Sequence, residues 1–463
     1  MSTITVTNPF DGAVVSQVEK RSEKDVEQAL ATASRVFNDR ENWLSAHQRI
    51  AILEKTVEIM SSQIEELTVL AASEGGKPYL DSKVEVMRSI QGVKLAIEHI
   101  PQIKGEQIPM GMTESSLNRL AFTQREPIGV VTSISAFNHP LNLSIHQTIP
   151  AIAVGCPVII KPSDRTPLSC LRLVEILHEA GLPEGWCQAL VCDNTDAGKL
   201  VSDPRVNFFS FIGSARVGWM LRSQLAPGTR CALEHGGAAP AIVDDSADLD
   251  ATVASLLKGG FYHAGQVCVS VQRVYAHNTI CDKLADMLAR DAAKLIVGNP
   301  LDEATEVGPL ITPSEVDRVD EWVQEAVEKG GKLLSGGKRL SETCYLPTVI
   351  LNPPEDCNLS QMEVFGPVVC VYSYSDKNEA VTRANSLPVA FQAAIYTQKL
   401  DDALELTNKL NATAVMINDH TAFRVDWMPF GGRDASGIGM GGIQYSMHEM
   451  TREKMIVIKS NIL

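Results

Sequence analysis

Three short segments carry side chains that could do chemistry, each beside glycine or proline. The segment GQVC ends on Cys268, LEHGG contains Glu234, and FNHP contains Asn138. A thiol is a nucleophile, a carboxylate in an apolar setting is a proton acceptor, and a carboxamide can donate to a developing oxyanion. Taken singly, these residues are more typical of a buried cysteine, a strand-end glutamate and a turn asparagine. The chemistry depends on whether the fold brings them together.

The elements that must position these residues alternate between strand and helix. IGVVTSIS precedes Asn138, PVIIKPS runs to Lys161 and beyond, and VNFFSFIG leads into the helix ARVGWMLRSQL. The small-residue helix IPAIAVG, the helix LSCLRLVEILHEAG and the strand CQALVC fall between them. Strands and helices alternating at short spacing predict a parallel sheet with helices on both faces.

A second α/β pattern runs from about residue 237 to 430, and periodic helices fill residues 24–72 and 81–100. Cys268 lies near the start of this second lobe, so we expect a ligand cleft between the two lobes. The tail TREKMIVIKSNIL reads as a single exposed strand. A lone strand needs a pairing partner, and we expect a neighbouring subunit to supply it.

Composition narrows the function class. The chain has 463 residues, a formal net charge of −15 and 44% hydrophobic residues. This acidic balance argues against nucleic acid or an anionic membrane surface as a partner. The ten cysteines form no CxxC pair, and His and Cys do not cluster at ligand spacing, so we expect reduced thiols, no metal site and a cytoplasmic location. We expect no signal peptide or membrane span.

Seven motifs in order, SAFNHPLN, KPSD, FIGSARVG, LEHGGAAP, FYHAGQVC, MEVFGP and MPFGGRDASGIG, resemble the aldehyde dehydrogenase superfamily over nearly the whole chain. The resemblance implies an α/β fold with two doubly wound parallel-sheet lobes and a small β oligomerisation flap. It implies a dinucleotide-binding domain over residues 1–108 and 128–236, and a catalytic domain over 237–435. Residues 109–127 and 445–463 would bridge subunits of a homodimer or homotetramer.

The resemblance also implies the reaction, the NAD(P)-dependent oxidation of a small-molecule aldehyde to a carboxylic acid. Cys268 would attack the aldehyde, Asn138 would hold the oxyanion, and Glu234 would activate water against the thioester. Backbone N–H groups beside Cys268, if presented at a turn into a helix, would lower the pKa of the thiol. Glu234 indicates transfer to water, because acylating members of the superfamily typically lack this glutamate.

The resemblance distributes the cofactor residues over several motifs. Lys161 would bind ribose hydroxyls, Ser214 opens a helix suited to a pyrophosphate, and Glu363 and Phe365 would hold the nicotinamide ribose and ring. The full expected set is Phe137, Lys161, Ser163, Asp164, Gly213, Ser214, Val217, Glu363 and Phe365. Asp164 stands where a glutamate is common, and we expect NAD as the cofactor, with NADP possible.

The substrate residues show departures from the family pattern. Segments such as NDHTAFRVDWMPFGG look closest to a branch of the family that oxidises short aldehydes with an anionic tail, such as phosphonoacetaldehyde or lactaldehyde relatives. Arg88 and His139 are the expected anion holders, and Val267, Val269 and Phe430 the expected apolar wall. Val267 stands where phosphonate-handling members tend to have an arginine, which disfavours a phosphonate dianion.

Two alternatives from other classes stay open at this point. One is a catalytically retired dinucleotide-binding protein, against which the intact Cys268, Glu234 and Asn138 argue. The other is a thiol esterase, which would not need the cofactor motifs. Alkylation of Cys268 and calorimetric cofactor binding distinguish them.

Overall fold

The computed structural model describes residues 2–463. Two large, mostly parallel sheets form the centres of two α/β lobes, and three small antiparallel sheets lie outside them. The six-stranded and seven-stranded sheets each have their own buried apolar clusters. The α/β expectation is therefore confirmed.

The helices lie between the strands as the sequence predicts. They are α1 (Glu23–Asn38), α2 (Ala46–Ser62), α3 (Ile64–Gly75), α4 (Tyr79–His99), α5 (Pro140–Val154), α6 (Leu168–Glu179), α7 (Asn194–Ala197), α8 (Lys199–Ser202), α9 (Ala215–Arg222), α10 (Leu249–Phe261), α11 (Cys281–Ala292), α12 (Pro313–Glu328), α13 (Asn358–Gln361), α14 (Lys377–Ala384), α15 (Leu400–Lys409) and α16 (Ile443–Glu449).

The strands are mostly short. They are β1 (Thr3–Thr7), β2 (Val14–Glu19), β3 (Gln107–Ile108), β4 (Arg119–Pro127), β5 (Val130–Ile134), β6 (Val158–Lys161), β7 (Cys187–Ala189), β8 (Val206–Ile212), β9 (Arg230–Glu234), β10 (Pro240–Val243), β11 (Arg273–His277), β12 (Lys332–Ser335), β13 (Thr348–Leu351), β14 (Val368–Tyr374), β15 (Val389–Ala390), β16 (Gln392–Tyr396), β17 (Ala414–Ile417), β18 (Arg433–Asp434), β19 (Gly437–Ile438) and β20 (Thr451–Lys459).

The first large sheet has the order β19-β9-β8-β5-β6-β7, and all pairs except β19 with β9 are parallel. Parallel strands need crossover connections, and α5, α6 and α9 supply them. The carboxyl ends of β5, β6, β8 and β9 therefore meet at one edge. The expected residues Phe137, Asn138, Lys161, Gly213 and Glu234 lie at or just beyond these ends.

The second large sheet has the order β12-β13-β14-β11-β10-β16-β17, with only β12 antiparallel to its neighbour. Its strands lie within residues 332–417 and 240–277, inside the expected catalytic range of 237–435. Residues 437–438 return to the first sheet as β19, pairing beside Glu234. The chain thus crosses between the lobes close to the expected base.

The helix after Asn138 is longer than the sequence analysis indicates. The pattern IPAIAVG predicts a helix over residues 149–155, but α5 begins at Pro140 and ends before Gly155, which has a φ of +94°. Proline is favourable in the first helical turn because its missing N–H has no intrahelical partner there. The N-terminus of a fully buried helix therefore lies directly beside Asn138.

The C-terminal tail forms a strand, but the expectation that a neighbouring subunit pairs with it needs correction. β20 pairs antiparallel along its length with β4 of the same chain, from Thr451 opposite Pro127 to Lys459 opposite Arg119. The residue pattern RLAFTQREP by itself did not predict β4, and only the family resemblance grouped residues 109–127, which contain this strand, with residues 445–463. In the three-stranded sheet β20-β4-β3, the other edge of β20 has no strand beside it within residues 2–463.

Across residues 2–463, no helix combines the length and the apolar character needed to cross a membrane.

Candidate active site

Three left-handed residues deliver Cys268 to the cleft between the sheets. After α10 the backbone turns at His263, Ala264 and Gly265, whose φ angles are +49°, +54° and +72°. Such angles are costly for residues with a side chain. At Gly265 a Cβ atom would lie 2.0 Å from the carbonyl oxygen of Gly366, so this position requires glycine. The turn ends in the segment that carries Cys268.

The three expected catalytic side chains come together. Cys268 Sγ lies 3.8 Å from Oε1 of Glu234, which ends β9. Asn138 Nδ2 donates a hydrogen bond of 2.9 Å to the carbonyl oxygen of Gln266, two residues before the thiol. A carboxamide nitrogen carries two N–H donors. The second donor of Asn138 is therefore available to an oxygen bound near Cys268.

Burial sets the electrostatics of the pair. Desolvation raises the pKa of Glu234, as expected for a carboxyl at the apolar end of a lobe. The pKa of Cys268 is also raised, by burial first and then by the nearby Glu234. The expectation of a lowered thiol pKa is therefore wrong for this structure. Its physical reason is visible: residues 267–270 form a turn closed by Ser270 N–H to Val267 O, and no helix begins at Cys268.

The phosphate end of the expected cofactor site lies between β8 and α9. Ser214 is the N-cap residue of α9, and its side chain caps no backbone N–H. The first N–H groups of this helix therefore need another acceptor, for which a pyrophosphate is suited. Gly213 N–H donates to Glu234 O at 3.0 Å, and the ring of His235 contacts the Gly213 carbonyl at 3.0 Å. Val217 packs on the apolar cluster beneath α9.

The ribose residues lie at the end of β6. Lys161 is buried, and its ammonium donates to Asp164 Oδ1 at 2.8 Å. Ser163 Oγ accepts from the backbone N–H of Arg165 at 3.2 Å. The structure therefore brings the three expected cofactor residues of the KPSD segment, Lys161, Ser163 and Asp164, to one edge of the first sheet.

The nicotinamide end shows an unmatched polar atom. Glu363 Oε1 is buried and has no hydrogen-bond partner among residues 2–463. Burial raises the pKa of this carboxyl to about 8. A Cβ on Gly236 would lie 1.7 Å from this oxygen, so only glycine there allows the Glu363 carboxylate to approach so closely. Phe137 and Phe365 meet edge to face at 5.8 Å. Together these residues fit a dinucleotide, since they offer a ribose acceptor, aromatic faces and free helix N–H groups.

The expected apolar wall lies along one side of the Cys268 thiol. Val267, Val269 and Phe430 form one buried cluster with Phe391, and Cys268 packs against it. The rings of Phe391 and Phe430 have centroids 4.7 Å apart. The space beside Cys268 is therefore apolar on this side.

The two expected anion holders have partners within the chain. Arg88 on α4 makes two hydrogen bonds to Asp426, of 3.0 Å and 2.7 Å. His139 Nε2 lies 3.1 Å from the hydroxyl of Tyr262. Desolvation, aided by nearby cations including Arg88, lowers the pKa of His139 well below its usual value. His139 is therefore a neutral hydrogen-bonding group here, and the charge of Arg88 is largely compensated.

A cation that the sequence did not predict, Arg424, lies closer than Arg88 to the catalytic pair of Cys268 and Glu234. The Arg424 side chain is 10% exposed, and its Nε is buried without a hydrogen-bond partner among the described residues. Its guanidinium carbon lies 3.5 Å from the centre of the Phe430 ring. Its charge opposes the rise in the pKa of both Glu234 and Cys268, which places it near both. The only sequence feature that could have indicated Arg424 is its position between β17, the last strand of the second sheet, and the Gly431-Gly432 turn.

Asp426 connects these charges. It accepts from Arg88, lies 2.8 Å from His146 Nε2 and 3.9 Å from Arg424 Nε. A small cavity of about 40 Å³ lies beside this group. Its lining includes His146, Glu234, Arg424 and Phe430. The cavity thus joins the expected base to the missed cation.

Comparisons with known proteins agree with this geometry. Residues 1–456 match the model of the aldehyde dehydrogenase family. A 3-sulfolactaldehyde dehydrogenase from Priestia aryabhattai is 38% identical over 454 residues, covering 98% of this chain and 94% of that protein. A lactaldehyde dehydrogenase from Methanocaldococcus jannaschii is 38% identical over 462 residues, covering 98% and 96%.

A solved structure is similar over the whole chain. It is a glyceraldehyde-3-phosphate dehydrogenase from M. jannaschii complexed with NADP, with a TM-score of 0.94 and 37% identity. The alignment covers 99% of this chain and 99% of that one. The fold expectation is confirmed at the level of the whole chain.

Proposed function

This chain belongs to the aldehyde dehydrogenase family, and we propose that it oxidises a short aldehyde with a singly charged anionic tail. It is an NAD(P)-dependent aldehyde oxidoreductase, as the resemblance implied. The retired-protein and esterase alternatives are not favoured, because close relatives over the full length are aldehyde dehydrogenases. The residue roles, the substrate tail and the assembly are parts of the proposal.

In the proposed mechanism, Cys268 first loses its proton to solvent and then reacts as a thiolate. Its sulfur adds to the aldehyde carbon, and the carbonyl oxygen becomes an alkoxide that accepts a hydrogen bond from Asn138 Nδ2. The alkoxide then reforms a carbonyl as hydride leaves, and a thioester to Cys268 results. When bound, the nicotinamide ring supplies the hydride acceptor.

Glu234 acts in the second half of the proposed reaction. Its carboxylate takes a proton from a water molecule, and the oxygen attacks the thioester carbon. The carbon–sulfur bond breaks, which releases the carboxylic acid and returns the thiolate. The observation that carries this assignment is the 3.8 Å contact between Cys268 Sγ and Glu234 Oε1.

The same edge of the first sheet would hold the cofactor. Lys161 would contact ribose hydroxyls, the α9 N-terminus at Ser214 would contact the pyrophosphate, and Glu363 would accept from the nicotinamide ribose. We propose a preference for NAD, because Asp164 would repel a 2′-phosphate. The ratio of kcat/KM for NAD to kcat/KM for NADP measures this preference. In an Asp164→Asn variant this ratio should fall toward one.

The charges around Asp426 favour a singly charged anion. Arg88 and Arg424 contribute two positive charges and Asp426 one negative charge. Burial lowers the pKa of His146, so its ring is neutral. Among these three charged groups one positive charge is left uncompensated, in a poorly solvated place where a carboxylate or sulfonate balances it and a dianion does not. Val267, in place of a cation before the thiol, favours the same conclusion.

An aldehyde panel tests the proposal through NADH absorbance. We expect 3-carbon and 4-carbon aldehydes with a carboxylate or sulfonate to give kcat/KM values at least tenfold above lactaldehyde and propanal. A neutral hydroxyaldehyde is the second candidate, favoured by the relative named lactaldehyde dehydrogenase. Equal values for neutral and anionic aldehydes would favour that candidate. A Cys268→Ser variant inactive on all of them is the control for chemistry at this thiol.

We also propose a homodimer or homotetramer in the cytoplasm. The unpaired edge of β20 and the exposed Met455, Val457 and Ile458 support the assembly. Residues 109–127 and 445–463 would form its bridging segment, while the cofactor and catalytic domains keep the boundaries given above. All ten cysteines are free thiols, as a reducing compartment would maintain. Sedimentation equilibrium measures the assembly.

A further inference from the structure

A buried ion pair lies behind the expected oxyanion donor. Lys77 and Glu85 are 1% and 0% exposed and their charged groups are in contact. Lys77 Nζ also donates to the backbone carbonyl of Asn138 at 3.3 Å. Glu85 Oε1 accepts the N–H groups of Leu141 and Asn142 at 3.0 Å and 2.9 Å. The ion pair therefore binds the backbone at two places, namely the carbonyl of Asn138 and the first turn of α5.

The support for this pair is rigid. Lys77 follows Gly76, which ends α3 in a left-handed conformation with a φ of +72°. A Cβ on Gly76 would lie 2.8 Å from both Pro9 and Pro309, so the corner between α3 and α4 is tightly packed. Lys77 thus approaches Asn138 from a fixed position.

The side chain of Asn138 is fixed separately. Its amide donates to Gln266 O, and the Gln266 side chain in turn binds Pro309 O at 3.2 Å and Ile311 N at 2.9 Å. The main chain is anchored on both sides of this residue. The Thr166 hydroxyl donates to the carbonyl of Phe137 at 3.2 Å, Lys77 binds the carbonyl of Asn138, and Glu85 binds the start of the helix that follows. Lys77 and Glu85 are therefore the ion-paired anchors between Asn138 and the first turn of α5.

Stability alone does not account for a buried pair at this position. Removing two charges from water costs about as much as their attraction returns, and apolar replacements of buried pairs are often neutral or stabilising. Accurate placement of a catalytic donor is a different matter, because oxyanion stabilisation depends on geometry set within a few tenths of an ångström.

We propose that the Lys77–Glu85 pair is a positioning device for the Asn138 amide during formation of the hemithioacetal. The inference rests on the proposed role of Asn138 as oxyanion donor. Lys77 and Glu85 touch neither substrate nor cofactor in this account, and they act only through Asn138 and the N-terminus of α5.

The test is a double-mutant cycle on hydride transfer, measured as the NADH burst in a single turnover at saturating NAD and aldehyde. Asn138→Ala should slow the burst by about 10²- to 10³-fold, the usual loss for one oxyanion donor. Lys77→Met should slow it by about tenfold or more. In the Asn138→Ala background, Lys77→Met should change the rate by less than about twofold, because its route of action is gone.

Two further variants separate positioning from folding. Lys77→Met leaves Glu85 bound to two backbone N–H groups. Lys77→Met/Glu85→Gln removes both charges and keeps an amide oxygen that accepts from Leu141 and Asn142, so this double variant should melt closer to the wild type than Lys77→Met while keeping the slow burst. Arg49→Met is the matched control, since Arg49 donates to Ala153 O at the other end of α5. It should lower the melting temperature without changing the burst rate.

The outcomes are distinct. Equal losses from Lys77→Met in both backgrounds would overturn the positioning role and leave Asn138 as oxyanion donor. A folded Lys77→Met variant with the wild-type burst would do the same. A wild-type burst in Asn138→Ala would overturn the proposed role of Asn138 and the positioning role with it.

Discussion

Replacing Arg424 with methionine should change which aldehydes the enzyme prefers. Methionine retains most of the unbranched stem and can stay in contact with Phe430, while the positive charge is removed. Because the Arg424 side chain is 10% exposed and its Nε has no hydrogen-bond partner among the described residues, an anionic substrate tail would meet a largely desolvated donor. Arg88 would then be left to neutralise Asp426 alone, and no net positive charge would remain in the group formed by these two residues.

The size of the effect follows from this burial. Removing one partner of a buried charge pair costs about 2–5 kcal/mol. Arg424 already interacts with Asp426 at 3.9 Å, so the lower half of that range applies. A loss of about 2–3 kcal/mol corresponds to a fall of roughly 30- to 150-fold in kcat/KM for an aldehyde with a carboxylate or sulfonate tail.

The assay compares an anionic aldehyde with a neutral one of the same length. Arg424 also opposes the raised pKa of Cys268, so its loss should slow every aldehyde modestly at neutral pH. The ratio of the two kcat/KM values cancels this shared effect and isolates recognition of the tail. Equal losses for both aldehydes, with the ratio unchanged, would refute the assignment of Arg424 as the anion-binding residue.

Three further predictions concern the thiol and its loop. Because the pKa of Cys268 lies above its usual value, the rate of its alkylation by iodoacetamide should keep rising with pH past the range of an ordinary thiol; a plateau below pH 8 would contradict this. Glu234→Gln removes a neighbouring negative charge and should move the midpoint of that alkylation profile to lower pH, as read by peptide mass at Cys268; an unchanged or higher midpoint would exclude the charge effect. Gly265→Ala should lower the melting temperature more than Gly330→Ala, since both have positive φ but only Gly265 would press a Cβ against Gly366, whereas a Cβ on Gly330 meets nothing within 4 Å; equal shifts would show that backbone strain alone decides.

Much of the site could be predicted because its residues follow strand ends. Parallel strands bring their carboxyl ends to one edge, so the positions of Asn138 and Lys161 followed once β5 and β6 were recognised. β9 was not predicted as a strand, and Glu234 was found by resemblance in the LEHGG segment. Cys268 was harder, since no strand precedes it. It was found by resemblance in the GQVC segment, and the left-handed turn at residues 263–265 that delivers it has a clear sequence signal only at Gly265.

Other features depended on contacts between distant segments. The pairing of β20 with β4 joins residues more than 300 positions apart, and nothing in the RLAFTQREP segment identifies its partner. The partner of Arg88 is Asp426, on a loop of the other lobe, so the sequence could suggest a free cation where the fold has a compensated one. Arg424 was missed for the converse reason, because an arginine is unusual only once its burial is known. The pKa of Cys268 likewise depends on burial and on Glu234, which a helix-based expectation left out.

Trapping the acyl-enzyme tests the central claim that Cys268 carries the substrate and Glu234 releases it. Glu234→Gln enzyme is mixed with NAD and an anionic aldehyde, then quenched in acid for intact-protein and peptide mass spectrometry. We predict about one NADH per subunit, little further turnover, and an added acyl mass on the peptide that contains Cys268. Sustained turnover without an adduct, or an adduct on another cysteine, would contradict the account.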